Sequence, residues 1–590
     1  MTNIYRLFLT KKTSRINYLL VITIFFELFL KLLLIFKHEI NWDEFYFISK
    51  VHSFQRGELF QPFQNFHVHL LGWVPWVSGN EVTQIIAARC ALFLLFIASG
   101  ILLYRIAQNF INDTGALFAV FCWLSLSNVI RHGSSLRYDS FCSFLFLLAC
   151  FALLTDKRSR FWTMIAGISM GISLLISLKA AIHVVSLFAL IVSLRIFSKE
   201  ERFSFRKAIL FIIPLVLTFG VGFRMHQGAL AVPSPNVAAF HKYSKEITFD
   251  VVPAQQEFLH HISSKAIVFD GFFPQRGYLT ETLLNNLVIW ILLAAGIFYT
   301  ILKLTREKEE KGIIALTFLA PLFAIPFYRN AFPYFYVFAI APAIIFCGIL
   351  PQRILNDFQK TGSKLLLLIF TVIYLPIVGS AGFHFLNAFS QDNGSQKVLL
   401  SAIHQMFPDP VHYIDGCSAV ASHSKVGFFM STWGFENYLA AGQPVFRQIL
   451  QEAHPQFLLA NKPQLDLSLS RENPFFRNNY DLLAEDQKTL EENFIRQWGM
   501  LWIPGKTLHS DSPEKQQSFE ILIPGPYVIE SNNQIILDNS TRSPGDQITL
   551  SQGRHTAQSM SSGQKIVLRW GKFNHLPIDP PSVNSMFYGF

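Results

Sequence analysis

Charge is scarce in this chain. Asp, Glu, Lys and Arg make up 15% of its 590 residues while 51% are hydrophobic. That balance excludes an intrinsically disordered chain and fits poorly with a wholly water-soluble one. Cysteine is scarcer still, with six residues at 90, 122, 142, 150, 347 and 417, all but Cys417 inside apolar runs. A disulfide framework and a Cys-ligated zinc site are therefore not expected. A cleavable secretion signal is missing too, because the first apolar run is too long and no small-residue cleavage site follows it. It is expected to stay as a membrane anchor. No repeat of solenoid period occurs, and the polar part holds no basic patch with interleaved aromatics, so nucleic acid is not an expected partner.

What the chain does have is apolar length. Mean hydropathy is +0.34, and 60 of the residues are Phe. Apolar runs recur from 17–36 to 365–383, about 11 in number and each near the roughly 20 residues that a bilayer requires. Residues 1–384 hold 34 basic against 20 acidic side chains, whereas 385–590 hold 15 against 19. A basic excess confined to the hydrophobic part is the pattern of loops retained inside. Arg6, Lys11, Lys12 and Arg15 precede the first run without an acid, and the basic loops 157–160, 195–207, 303–311 and 353–364 fall on the same side by alternate counting. The expectation is a polytopic α-helical membrane protein of about 11 spans in residues 1–384. Two long exterior loops, 37–81 and 224–286, interrupt it. An exterior α/β region at 385–510 follows, and then a small β-sandwich-like domain at 511–590, where short alternating runs such as EILIPGPYVIE and QKIVLRWG are separated by Gly, Pro and Asn turns.

The sharpest chemical feature is Asn41-Trp42-Asp43-Glu44-Phe45-Tyr46, just outside the first run. Adjacent carboxylates there could serve as a general base, hold a divalent cation, or only solvate a loop. His67 and His69 share that loop. Ser135-Leu136-Arg137-Tyr138-Asp139 opens the fourth run, where an interfacial ion pair is the plain alternative to a site. Lys179 lies between two apolar runs, as a snorkelling Lys would. Tyr328-Arg329-Asn330-Ala331-Phe332-Pro333-Tyr334-Phe335-Tyr336 follows later. Glu27 and Lys31, four apart in the first run, are expected to neutralise one another. His241, His260 and His261 in the second loop read as bystanders.

In this order these elements resemble the GT-C superfamily of membrane glycosyltransferases that use polyprenyl-phosphate sugars, which includes protein O-mannosyltransferases and the lipid A aminoarabinose transferase. The resemblance implies that Asp43 is the catalytic base, with Glu44 beside it. It implies that Lys179, Arg329 and Tyr334 meet the donor phosphate, and that Arg137, Asp139, His67 and His69 face the acceptor or a metal. The Lys element lacks the family's following Gly, and the Arg and Tyr of the late element are not adjacent. The implied activity is inverting sugar transfer from a polyprenyl-phosphate-linked donor to a lipid, glycan or protein acceptor. It would take place at the exterior face of a bacterial inner membrane, with the C-terminal region in the periplasm and membrane lipids around the spans. A divalent cation is left open as a cofactor, and Asp43 with Asp139 could hold it. The rival readings are a transporter or flippase of lipid-linked glycans, for which the sequence shows neither paired repeats nor broken helices, and a non-enzymatic envelope assembly protein.

Overall fold

The computed structural model describes residues 13–155, 159–197, 204–231, 272–307, 310–478, 480–510, 516–561, 564–571, 580–581 and 587. Most of the second exterior loop, with His241, His260 and His261, lies outside them, as do Arg6, Lys11 and Lys12. Among the described residues six helices are long and apolar enough to cross a membrane: Arg15–Lys37, Glu81–Ala107, Leu178–Phe197, Phe205–Ala229, Leu287–Arg306 and Lys364–Phe389. Four shorter apolar helices, Asp113–Ser125, Tyr138–Leu154, Arg160–Ile176 and Lys311–Ala324, pack among them.

The 11 or so apolar runs do not all form single helices. The run 333–350 divides into a helix Phe335–Ile340, a 3-10 segment Ala343–Gly348 and a third helix Ile349–Thr361. Likewise the run from 313 passes from α-helix to a 3-10 segment, Thr317–Ala324, that contains Pro321. Pro321 and Pro342 lack the N–H that would continue an α-helix. The broken backbone is tolerated because the 335–348 stretch is buried among other helices and not exposed to lipid.

The expected Glu27–Lys31 pair does not form. Glu27 accepts a hydrogen bond from Ser125 at 2.8 Å, and Lys31 donates to the carbonyls of Val129 and Ile130. The helices carrying these partners lie close enough to answer each charge separately.

Beyond Phe389 the chain forms a helix, Gly394–Met406, and then a parallel three-stranded core in which His412–Ile414 lies between Ser424–Val426 and Phe457–Leu459. Strand Leu501–Ser510 pairs antiparallel with Phe457–Leu459 and also with Gln564–Trp570. One sheet path therefore runs through both exterior pieces, and the expected boundary at 510/511 falls at the end of the strand that joins them. A second sheet of four strands packs on the far part of the first over Ile521, Tyr527, Ile529, Ile535 and Leu568, giving the expected sandwich.

The exterior region seats directly on the loop after the first span. Gln396 exchanges two 2.9 Å hydrogen bonds with the backbone of Ile40, and Arg56 donates to the carbonyls of Ala421 and Ser422. Glu81, fully buried at the head of its helix, accepts from Ser422 and faces His404 at 2.8 Å. Burial opposes the charge on His404, but Glu81 outweighs it and raises the imidazole above its ordinary value. The sign follows: protonated His404 favours the docked state below about pH 6.5, and that contribution is lost as pH rises through the raised value. Amide exchange around Ser401–Ser422 is expected to speed up as pH rises above about 6.5, beyond the intrinsic pH effect, and His404→Gln should remove the excess.

Candidate functional site

Asn41 caps the helix Trp42–Gln55. Its side chain accepts from Asp43 N at 2.9 Å, and Glu44 Oε1 accepts from Asn41 N at 3.2 Å, closing a capping box. Successive helical residues point about 100° apart, so the cap aims the two acids differently. Glu44 turns inward and is 1% exposed. It receives Arg89 Nε at 2.8 Å, Arg89 Nη2 at 2.5 Å and Leu136 N at 2.7 Å. Burial alone would raise its pKa, but Arg89 and these donors together lower it. Arg89 also donates to the carbonyls of His38 and Glu39, both at 2.9 Å. Glu44 therefore ties the first-loop helix to the segment that presents Arg137.

Asp43 turns outward, with its side chain 16% exposed. Arg137 Nη1 donates to Asp43 Oδ2 at 2.6 Å, while Oδ1 makes no hydrogen bond among the described residues. The Arg137 guanidinium lies 3.4 Å from the Tyr334 ring centroid, and its Nε is 3.6 Å from Asp139 Oδ2. Burial opposes that charge, yet Asp43, Tyr334 and Asp139 hold the guanidinium ionised and push its pKa up. Lys179, on a 3-10 turn between two helices, donates to Asp139 Oδ1 at 2.5 Å and sits 5.6 Å from the Tyr334 ring. Asp43, Arg137, Asp139, Lys179 and Tyr334 thus form one continuous cluster.

The other expected residues lie apart from it. His67 is buried, its Nε2 on the Phe47 carbonyl and its ring against Phe47 and Tyr138, and burial lowers its pKa to about 4. His69 contacts His226 at 2.8 Å. Arg329 makes a forked pair with Glu436 at 2.8 and 3.0 Å, and Tyr480 adds a hydrogen bond to the same carboxylate. Arg329 therefore joins the membrane part to the exterior helix Thr432–Ala441.

Two residues escaped the sequence reading. Arg89 was hidden inside an apolar run, although a charge within a span is itself a signal of function or pairing. The other, Lys462, follows the buried strand Phe457–Leu459 and reaches over the membrane part, with its ammonium 4.4 Å from the Trp42 ring centroid. Burial lowers its pKa, and the neighbouring Cys417, Asp43 and Asp415 oppose that shift. It forms no salt bridge within 4 Å among the described residues. The strand-end position is where ligands meet parallel sheets in general.

The carboxylates do not suit a divalent cation. Arg137 occupies the place between Asp43 and Asp139, Lys179 takes the other oxygen of Asp139, and no group of three His, Cys, Asp or Glu side chains converges among the described residues. A hard cation calls for several oxygen ligands, and here two guanidinium contacts and an ammonium hold the oxygens instead. Chelation with EDTA is accordingly expected to leave turnover unchanged within about twofold in a steady-state transfer assay.

Residues 77–222 match the family model described as dolichyl-phosphate-mannose-protein mannosyltransferase. In fold, the chain is similar to the apo oligosaccharyltransferase of Archaeoglobus fulgidus at a TM-score of 0.55 and 10% identity, over 96% of this chain and 98% of that one. The same A. fulgidus protein, AglB, in complex with an inhibitory peptide and a dolichol-phosphate, matches at 0.55 and 10% identity over 95% and 97% of the two chains. ArnT from Cupriavidus metallidurans in the apo state matches at 0.48 and 12% identity, over 74% and 92%. No curated protein matches in sequence. The membrane helices and the sheet-rich C-terminal region thus together share the fold of that oligosaccharyltransferase.

Proposed function

We propose that this chain is a GT-C glycosyltransferase that moves a sugar from a polyprenyl-phosphate-linked donor to a hydroxyl or amine acceptor, with inversion, at the membrane face that carries the exterior region. In a bacterial cell that face is the periplasmic side of the inner membrane. The observation that carries the reading is Asp43: one carboxylate oxygen is anchored by Arg137 and the other is open, within a cluster that also brings Lys179 and Lys462. The open oxygen takes the proton from the acceptor, whose oxygen or nitrogen attacks the anomeric carbon. The bond between that carbon and the phosphate oxygen breaks, and the lipid phosphate departs with the bonding electrons. Lys179 and Lys462 meet the charge that develops on it, while Arg137 and Glu44 act as positioning residues.

Arg137, Lys179 and Lys462 bring three cationic groups to the place where a phosphate would depart. The interrupted helices do not favour transport, because their breaks are filled by buried apolar side chains such as Phe335, Phe338, Ile344 and Phe346.

The test is transfer of radiolabelled sugar from a synthetic polyprenyl-phosphate donor by the purified chain. Lys179→Ala and Lys462→Ala are each expected to reduce kcat/KM for donor by about ten- to a hundredfold, the loss of one charge-assisted contact of about 1.5–3 kcal/mol. Absence of transfer by the wild-type chain with every polyprenyl-phosphate donor offered would refute the activity. Unchanged donor kinetics in both variants would remove these two cations from the site and leave the activity standing.

A further inference from the structure

A second polar concavity lies at the opposite ends of the helices. The helix Glu81–Ala107 starts beside the exterior region and ends just before it, and 27 residues at 1.5 Å each span about 40 Å. The cavity has a volume of about 370 Å³ and is lined by Lys303, Lys311, Arg353 and Lys360, with one acid, Asp357, and the Tyr299 ring. Lys311, Arg353 and Lys360 form no salt bridge within 4 Å among the described residues.

Basic side chains at span ends ordinarily splay outward to the interface. Here three segments direct them into one hollow, and its walls are fixed. Asn112 N donates to Gln352 Oε1 at 2.8 Å, and Asn112 Nδ2 reaches Asn356 Oδ1 at 3.3 Å. Arg353, exposed at the rim, lies 4.9 Å from the Tyr299 ring centroid, where the aromatic face orients its guanidinium. Behind the lining the backbones meet without side chains between them: a Cβ on Gly296 would collide with the Phe346 carbonyl, and one on Gly348 with that of Gly115. The hollow is preformed, as ligand pockets usually are, and its volume is within their usual range of roughly 300–1,000 Å³.

We propose that this cavity binds a phosphate group, carried either by an anionic phospholipid of the adjacent leaflet or by a soluble phosphate compound. Four cations around one acid exclude a metal ion, and the polar lining excludes a purely apolar guest. A phosphodiester offers anionic oxygens to Arg353 and to the lysines, and a bilayer leaflet at the cavity mouth supplies one at high local concentration. The site is independent of the sugar-transfer reading, because none of its residues lies near Asp43.

The experiment uses the full chain in phosphatidylcholine nanodiscs, wild type beside the double variant Arg353→Gln, Lys360→Gln and the charge-preserving Arg353→Lys. Phosphatidylglycerol is added to the bilayer in one arm and inorganic pyrophosphate to the solution in the other. Bound probe is read by native mass spectrometry and by the shift in Tm. For at least one probe the double variant should lose about tenfold or more in retention, while Arg353→Lys keeps most of it. Loss confined to phosphatidylglycerol assigns a lipid, and loss confined to pyrophosphate assigns a soluble ligand. Equal retention of both probes by wild type and the double variant, or no retention by either, overturns the proposal. If the double variant does not fold, Arg353→Lys and the wild-type titrations decide: a wild type that fails to discriminate phosphatidylglycerol from phosphatidylcholine and does not bind pyrophosphate overturns it as well.

Discussion

Asp43→Asn is expected to lower the turnover of sugar transfer by about two to four orders of magnitude while leaving donor binding and Tm close to those of the wild type. Asparagine keeps the size of the side chain and can still accept a hydrogen bond from Arg137, now 2.6 Å from Asp43 Oδ2, so the local packing survives. What disappears is the oxygen able to take the acceptor's proton. The substitution also removes one negative charge from beside Arg137 and Lys462. Donor affinity should therefore hold or improve slightly, and the defect should appear in kcat rather than in KM. Tm and the fraction of protein that binds donor are needed beside kcat, since a folding defect lowers the active fraction and with it the apparent kcat while KM stays the same. A variant that transfers sugar at the wild-type rate would remove Asp43 as the base.

Much of this cluster could be read from the chain itself, because its members stand at the ends of apolar runs on one face. Asp43, Arg137, Asp139 and Lys179 each interrupt hydrophobic text at a place where a charge is costly, and the structure draws them together. Lys462 could not be found that way. It belongs to a polar region, where a lysine after a strand carries no signal, and only the docking of the sheet on the first exterior loop brings it to Trp42. The charge pattern of Tyr328–Tyr336 named Arg329 but could not show that Glu436, on an exterior helix, would occupy it. Hydropathy misread 333–350 as one helix for a related reason. It measures apolar content, not whether a segment faces lipid or protein, and only lipid demands unbroken hydrogen bonding. The sequence reading set Asp43 apart from Glu44 by the resemblance, and the capping box is what turns Glu44 inward in the structure.

Arg89→Met is expected to be among the most destabilising single changes, costing about 3–5 kcal/mol, because it leaves the Glu44 carboxylate buried without its cation. Glu44 is 1% exposed and cannot swing into water without unwinding the capped helix start. Arg89 also supplies donors to the carbonyls of His38 and Glu39, so the whole turn between the first span and the first-loop helix loses its anchor. The loss should appear as a fall in Tm and as reduced transfer, since Leu136 N, and with it the segment presenting Arg137, hangs on the same carboxylate. Glu44→Gln keeps only the two contacts that fall on its one remaining oxygen, sets its NH2 against the other two donors and leaves Arg89 uncompensated, so it should also destabilise. The two changes share one interaction and should not add: the double variant Glu44→Gln, Arg89→Met should be more stable than the sum of the singles predicts, with a coupling of about 0.5–3 kcal/mol. Strict additivity in Tm and in the denaturant midpoint would show that the pair is not what holds Asp43 and Arg137 in register. Activity that recovers in the double variant along with stability would show the opposite, that Glu44 acts by holding its neighbours and not by taking the proton itself.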